Sequence, residues 1–186
     1  MPRPVAAALL IAAGSVPIVW VSRRALLRPS SHGFSRFFAF EAILALVVLN
    51  APSWFAGPFA VRQLGSWSLL IVSLVLVVWG ALLLRRAGRP RPAPRDSRLF
   101  GWENTAVLVT AGPYRYIRHP LYASLLFLAW GALLKRVSLA TLALAVVASL
   151  ALVATARAEE AENLARFGQP YRAYMSRTRR FIPFLL

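Results

Sequence analysis

Ser66 to Leu84 is a run of 19 residues without a single charge. At about 1.5 Å per residue it matches a hydrocarbon core of roughly 30 Å. A segment like this must satisfy its backbone internally, so it folds as a helix in lipid or as a deeply buried one. Similar apolar stretches run from Val5 to Val21 and from Phe37 to Ala60. Two more, Leu121 to Leu134 and Val137 to Ala156, are separated only by Lys135 and Arg136. The pattern predicts an all-α polytopic membrane protein with about five transmembrane helices. The last two form a hairpin followed by a cytoplasmic C-terminal segment. The fourth stretch is short for a full crossing.

Charge then sets the expected orientation. Of 22 Lys and Arg residues, 18 fall between the first and second stretches, between the third and fourth, or after the fifth. The remaining four (Arg3, Arg62, Lys135 and Arg136) lie on the other side. The positive-inside rule puts the amino terminus outside and the carboxyl terminus in the cytoplasm of an inner or plasma membrane. A net charge of +16 in a soluble chain would suggest nucleic acid. Here the arginines flank apolar runs and form no continuous basic face, so no nucleic-acid partner is expected. Arg23, Arg24 and Arg28 follow the first stretch directly, which reads as stop-transfer and not as a cleaved leader. The stretch Arg85 to Arg98, rich in Arg and Pro, reads as a linker attracted to anionic membrane lipids. It divides helices at 1–84, an anchor and possible substrate-side wall, from a motif-bearing region at 99–186. With no cysteine and two distant histidines, a metal site is not expected.

The chemistry concentrates in "GPYRYIRHPLY", Gly112 to Tyr122, at the mouth of the fourth helix. Pro120 suits the first helical position, which makes His119 the cap, since a residue before proline avoids helical geometry. The first-turn N–H groups form an anion site, which Arg115 and Arg118 strengthen. Three of the six acids, Glu159, Glu160 and Glu162, follow the fifth stretch. Small residues at Thr141, Ala145, Ala148, Ala151, Thr155 and Ala158 share one helix face and allow close packing. A hairpin then returns the acids to the side of His119. A ligand with both a carboxylate and a cation would satisfy both ends. Each group also has a plainer reading: a positive-inside helix start, solvated acids, interfacial tyrosines. Glu41 is expected to snorkel or to pair with an arginine, Asn50 to act in helix packing, and His32 is assigned no role. A non-catalytic lipid-binding scaffold or small anion transporter is the alternative class.

Together, "LVTAGPYRYIRHPLY" and "EEAENLARFGQPYRAYMSRTRRFIP" resemble the isoprenylcysteine carboxyl methyltransferase family, integral-membrane methyltransferases related to the phospholipid N-methyltransferases. The resemblance covers Leu99 to Phe184. It implies a methyltransferase that uses S-adenosylmethionine and acts on a lipophilic, lipid-like acceptor. Donor contacts would fall on Leu108, Val109, Tyr114, His119, Pro120, Tyr122, Glu159 and Glu160, with Gly112 and Arg118 completing the set. Candidates for proton transfer or substrate contact are Glu160, His119 and Arg157. Where the family has a small Gly after the RHP-x-Y tyrosine, this chain has Ala123 and Ser124. Where enzymes acting on prenylated proteins carry an arginine ahead of the acidic pair, it has Thr155, with Arg157 two residues on.

Overall fold

A computed structural model describes residues 3–29, 31–88 and 107–185. They form six α-helices: α1 (Arg3–Leu26), α2 (His32–Asn50), α3 (Val61–Ala87), α4 (Pro120–Leu133), α5 (Leu139–Phe167) and α6 (Gln169–Arg177). Four of them, α1, α2, α3 and α5, are long and apolar enough to cross a membrane. With 14 residues, α4 extends only about 21 Å. All but the first residues of the Arg85–Arg98 linker lie outside the described residues. Arg85 and Arg86 form the last turn of α3.

Three expected boundaries shift, each for a local reason. The second helix begins at His32, five residues early, which moves Arg36 from a connecting loop into a buried position on α2. It stops at Asn50 instead of Ala60. Pro52 tightens the chain into a 3-10 turn, and Gly57 takes a left-handed φ of 59° beyond it. The fifth helix runs on to Phe167, eleven residues past Ala156, so all three glutamates are helical. Its start is fixed by a capping box between Ser138 and Thr141. Its end is fixed by Gly168 at φ 61°.

The core is built from small side chains. Ala42 and Leu46 of α2, Ala129 and Ala132 of α4, and Ala145 and Ala148 of α5 pack in one buried cluster. Alanines at these contacts let backbones approach closely, which is how helices gain packing energy in lipid. The predicted stripe on α5 is buried at Thr141, Ala145, Ala148 and Thr155. Leu152, not Ala151, fills its centre. Polar side chains then fasten the short helix to its neighbours. Asn50 donates to the Ala132 carbonyl, Ser66 to Gly131 and Ser73 to Ser124, each at 2.7 Å. Asn50 thus has the packing role expected of it. Glu41 finds Ser15 on α1, whose hydroxyl donates to it at 2.6 Å, and no arginine among the described residues pairs with it.

Antiparallel pairing of a 14-residue α4 with a 29-residue α5 leaves an overhang. The last three turns of α5 rise beside the loop 107–119 and α6, and the site is built there.

Candidate active site

The loop is held in place from both sides. Gly112 sits at φ 57°, and a Cβ there would come within 2.5 Å of Leu83 and 3.1 Å of the Trp79 indole nitrogen. Only glycine lets the chain turn this close to α3. On the other side, the segment after α6 pairs with the loop. The Arg118 and His119 amides donate to the Arg179 and Arg180 carbonyls at 2.7 and 3.1 Å, and the Arg179 amide donates to Tyr116 at 3.0 Å. The Tyr174 hydroxyl donates to the Tyr114 carbonyl at 2.6 Å.

Pro120 opens α4, and His119 is its cap in non-helical geometry, as the sequence predicts. The His119 ring is buried and stacks on Tyr122 at 5.4 Å between centroids. Its Nδ1 lies 3.9 Å from Glu159 and its Nε2 3.5 Å from Glu160. Among the described residues no hydrogen bond satisfies that Nε2. The hairpin therefore brings the cationic and acidic motifs together.

Beside them lies an open cavity of about 650 Å³ counting its mouth. Leu108, Val109, Tyr114, Arg118, His119, Pro120, Tyr122 and Glu159 all line it. Three expected residues do not. Gly112 acts through the turn. Arg157 is exposed on another face of α5. Glu160 is buried behind the wall, where Arg118 Nε donates to it at 2.8 Å and Arg180 grips both oxygens at 2.9 to 3.1 Å. Arg118 also donates to the Met175 and Thr178 carbonyls. Its charge is thus spent on Glu160 and the tail more than on the helix mouth. With both oxygens engaged by arginines, Glu160 is an anchor and a poor proton acceptor.

The structure adds wall residues outside the expected contact set: Leu84, Leu121 and, from the quoted tail motif, Asn163, Phe167, Tyr171 and Tyr174. Asn163 lies one turn beyond Glu159, and the periodicity of an extended α5 would have found it. Burial pushes the Tyr171 phenol up to about 12, and the Tyr174 phenol higher still. Both stay neutral at physiological pH. His32, assigned nothing, is buried at the start of α2 and bonds Glu162 at 2.8 Å. That contact spans 130 positions, and no local signal announces it.

A family model for phospholipid methyltransferases matches residues 61–169. The chain belongs to the phospholipid methyltransferase family. No curated protein and no solved structure matches it. The family match begins at the first residue of α3 and so takes in the helix on which Gly112 and the loop rest. This phospholipid methyltransferase family member is an integral membrane protein, on the strength of that match and of its four long apolar helices.

Proposed function

We propose that the cavity binds S-adenosylmethionine and that the protein transfers its methyl group to a lipophilic acceptor in the membrane. The observation that carries the reading is the meeting of Glu159 with the His119-capped start of α4 on the wall of one cavity. The residues fit the donor. The first-turn N–H groups of α4 and His119 suit a carboxylate, Glu159 suits an ammonium or sulfonium, and Phe167 and Tyr171, stacked at 6.5 Å, offer aromatic faces. The donor, when bound, supplies an electrophilic methyl on a sulfonium.

What the chain contributes is position and dryness. The Tyr174–Tyr114 bond and the paired tail wall the site on one side. Leu84, Leu108 and Leu121 form an apolar wall, on which we seat the acceptor, arriving sideways from the bilayer. A carboxylate acceptor is already the nucleophile and needs no base. An amine, hydroxyl or thiol needs one, and we assign that proton to His119. The cation count supports an outside amino terminus and a cytoplasmic carboxyl terminus, so the donor enters from the cytosol.

Calorimetry of detergent-purified protein tests the reading. Saturable S-adenosylmethionine binding is expected. Glu159→Ala and His119→Ala should each weaken it by tenfold or more, on the scale of a lost charge-assisted contact of about 1.5–3 kcal/mol. Folded wild type that binds no donor, or that methylates only water-soluble acceptors, overturns the proposal.

A further inference from the structure

A second, larger depression of about 1690 Å³ counting its mouth runs between α4, α5 and the tail beyond α6. Arg118 is the one residue common to its wall and that of the donor cavity. That side chain is not a gate. It is pinned by Glu160 and by the Met175 and Thr178 carbonyls, and with side-chain exposures of 9% for Arg118 and 5% for Glu160 the pair stands as a wall between the two.

The groove is polarised along its length. Leu126, Phe127, Val153 and Ile182 make its sides apolar. At its far end the Trp130 indole donates to Ser149 at 3.1 Å. Eight residues back along α5, about 12 Å by helical rise, stands Arg157, with Arg179 of the tail on the same wall. Both arginines are exposed, and neither side chain has a hydrogen-bond or ion-pair partner among the described residues. The nearby acid, Glu160, is already compensated by Arg118 and Arg180. The groove therefore presents uncompensated positive charge at one end and hydrocarbon-compatible surface along the rest.

We propose that this groove seats one anionic phospholipid, distinct from the methyl acceptor, which braces the tail that closes the donor site. Guanidinium pairs with phosphate oxygens in a bidentate manner, and an acyl chain fills the α4–α5 side. The occupant touches Arg179 to Ile182. The backbone of that segment holds Tyr116, Arg118 and His119, so lipid binding and loop order favour one another reciprocally. The effect on the donor rests on the proposed function; lipid retention does not.

The test is native mass spectrometry of the full chain in detergent, offered equal phosphatidylglycerol and phosphatidylcholine. One phosphatidylglycerol should be retained in preference, on the order of tenfold, because both headgroups offer a phosphate but only phosphatidylcholine adds a choline cation that the two arginines repel. Arg157→Gln with Arg179→Gln should erase the preference, while the matching Arg→Lys pair keeps part of it. Val153→Trp should expel the lipid with charge unchanged, and thermal melting checks that each variant folds. Equal retention of the two lipids overturns the proposal, as does a preference that survives the double Gln change. It is also overturned if Val153→Trp blocks methyl transfer while the anionic lipid stays bound, which would make the groove the acceptor's seat. In nanodiscs, S-adenosylmethionine should bind several-fold tighter with phosphatidylglycerol than without. A protein that keeps its lipid yet never binds the donor would sink the function proposed above and leave the lipid site standing.

Discussion

The two ends of the α4–α5 hairpin each bury a cation, and they do it by different chemistry. At the donor end, Arg118 and Arg180 share the Glu160 carboxylate beside His119. At the turn end, Lys135 is fully buried with no carboxylate partner among the described residues. Its Nζ sits 3.4 Å from the centre of the Trp67 ring and 5.3 Å from that of Trp54, and donates to Gln63 at 3.0 Å. Burial pushes its pKa down. Gln63 in turn donates to the Ser53 and Ala56 carbonyls, and Arg62 caps those of Leu134 and Lys135. The turn end is a closed lock joining α2, α3 and the hairpin, with its donors directed inward at protein. The donor end leaves His119 Nε2 unsatisfied and Glu159 on an open cavity. Scarce acids gather where we propose that a ligand is held, and aromatic faces suffice at the turn.

Removing the shared carboxylate should have the largest effect. Glu160→Ala leaves two arginines facing each other with buried charge uncompensated, a loss of about 3–5 kcal/mol for a broken buried pair. A fall in melting temperature and loss of S-adenosylmethionine binding are expected together. Glu160→Gln should recover part of the stability. If Glu160→Ala melts like wild type, the donor end is not held by this cluster.

The turn end should break without touching the ligand. Lys135→Ala removes two cation–π contacts and orphans the Gln63 oxygen, a cost of about 2–3 kcal/mol. Melting temperature should fall while donor affinity in the folded fraction stays unchanged. A weakened affinity would mean that the two ends are coupled and that the contrast drawn between them is false.

The parts of this architecture that the sequence made legible are those written in short periods. Pro120 after His119 announced the start of α4, the small-residue steps announced the packing face of α5, and the paired motifs announced which ends meet. Glu160 shows the limit. Its spacing placed it with Glu159, but adjacent helical residues point about 100° apart. One faces the cavity and the other faces the tail, so shared motif membership did not mean shared role. His32 and the cage around Lys135 were illegible for a different reason. Both depend on partners 68 to 130 positions away, brought together by helix packing and not by any local pattern. The extension of α5 past Ala156 was missed because the hydrophobic run ends there while the helix does not.

Tyr171 offers the subtlest probe of the donor end. Its phenol is buried on the cavity wall, and its pKa is pushed from 10.0 up to about 12, chiefly by burial, with Glu159 and Glu160 adding to the rise. A group whose folded pKa lies above its unfolded one contributes stability that is fully present below pH 10 and is lost as pH rises toward 12. At pH 11 the docked tail should therefore be weaker by on the order of 1 kcal/mol, an effect that Tyr171→Phe abolishes. The difference in tyrosinate absorbance between wild type and that variant should locate the transition near 12. With the donor in the cavity as proposed, its sulfonium should move the transition down, whereas the product, which lacks the sulfonium, should move it less. A Tyr171 that ionises near 10 would show that the tail does not bury it. A transition near 12 that ignores the donor would place the sulfonium away from this wall, leaving Glu159 and Phe167 to hold it without the tyrosine.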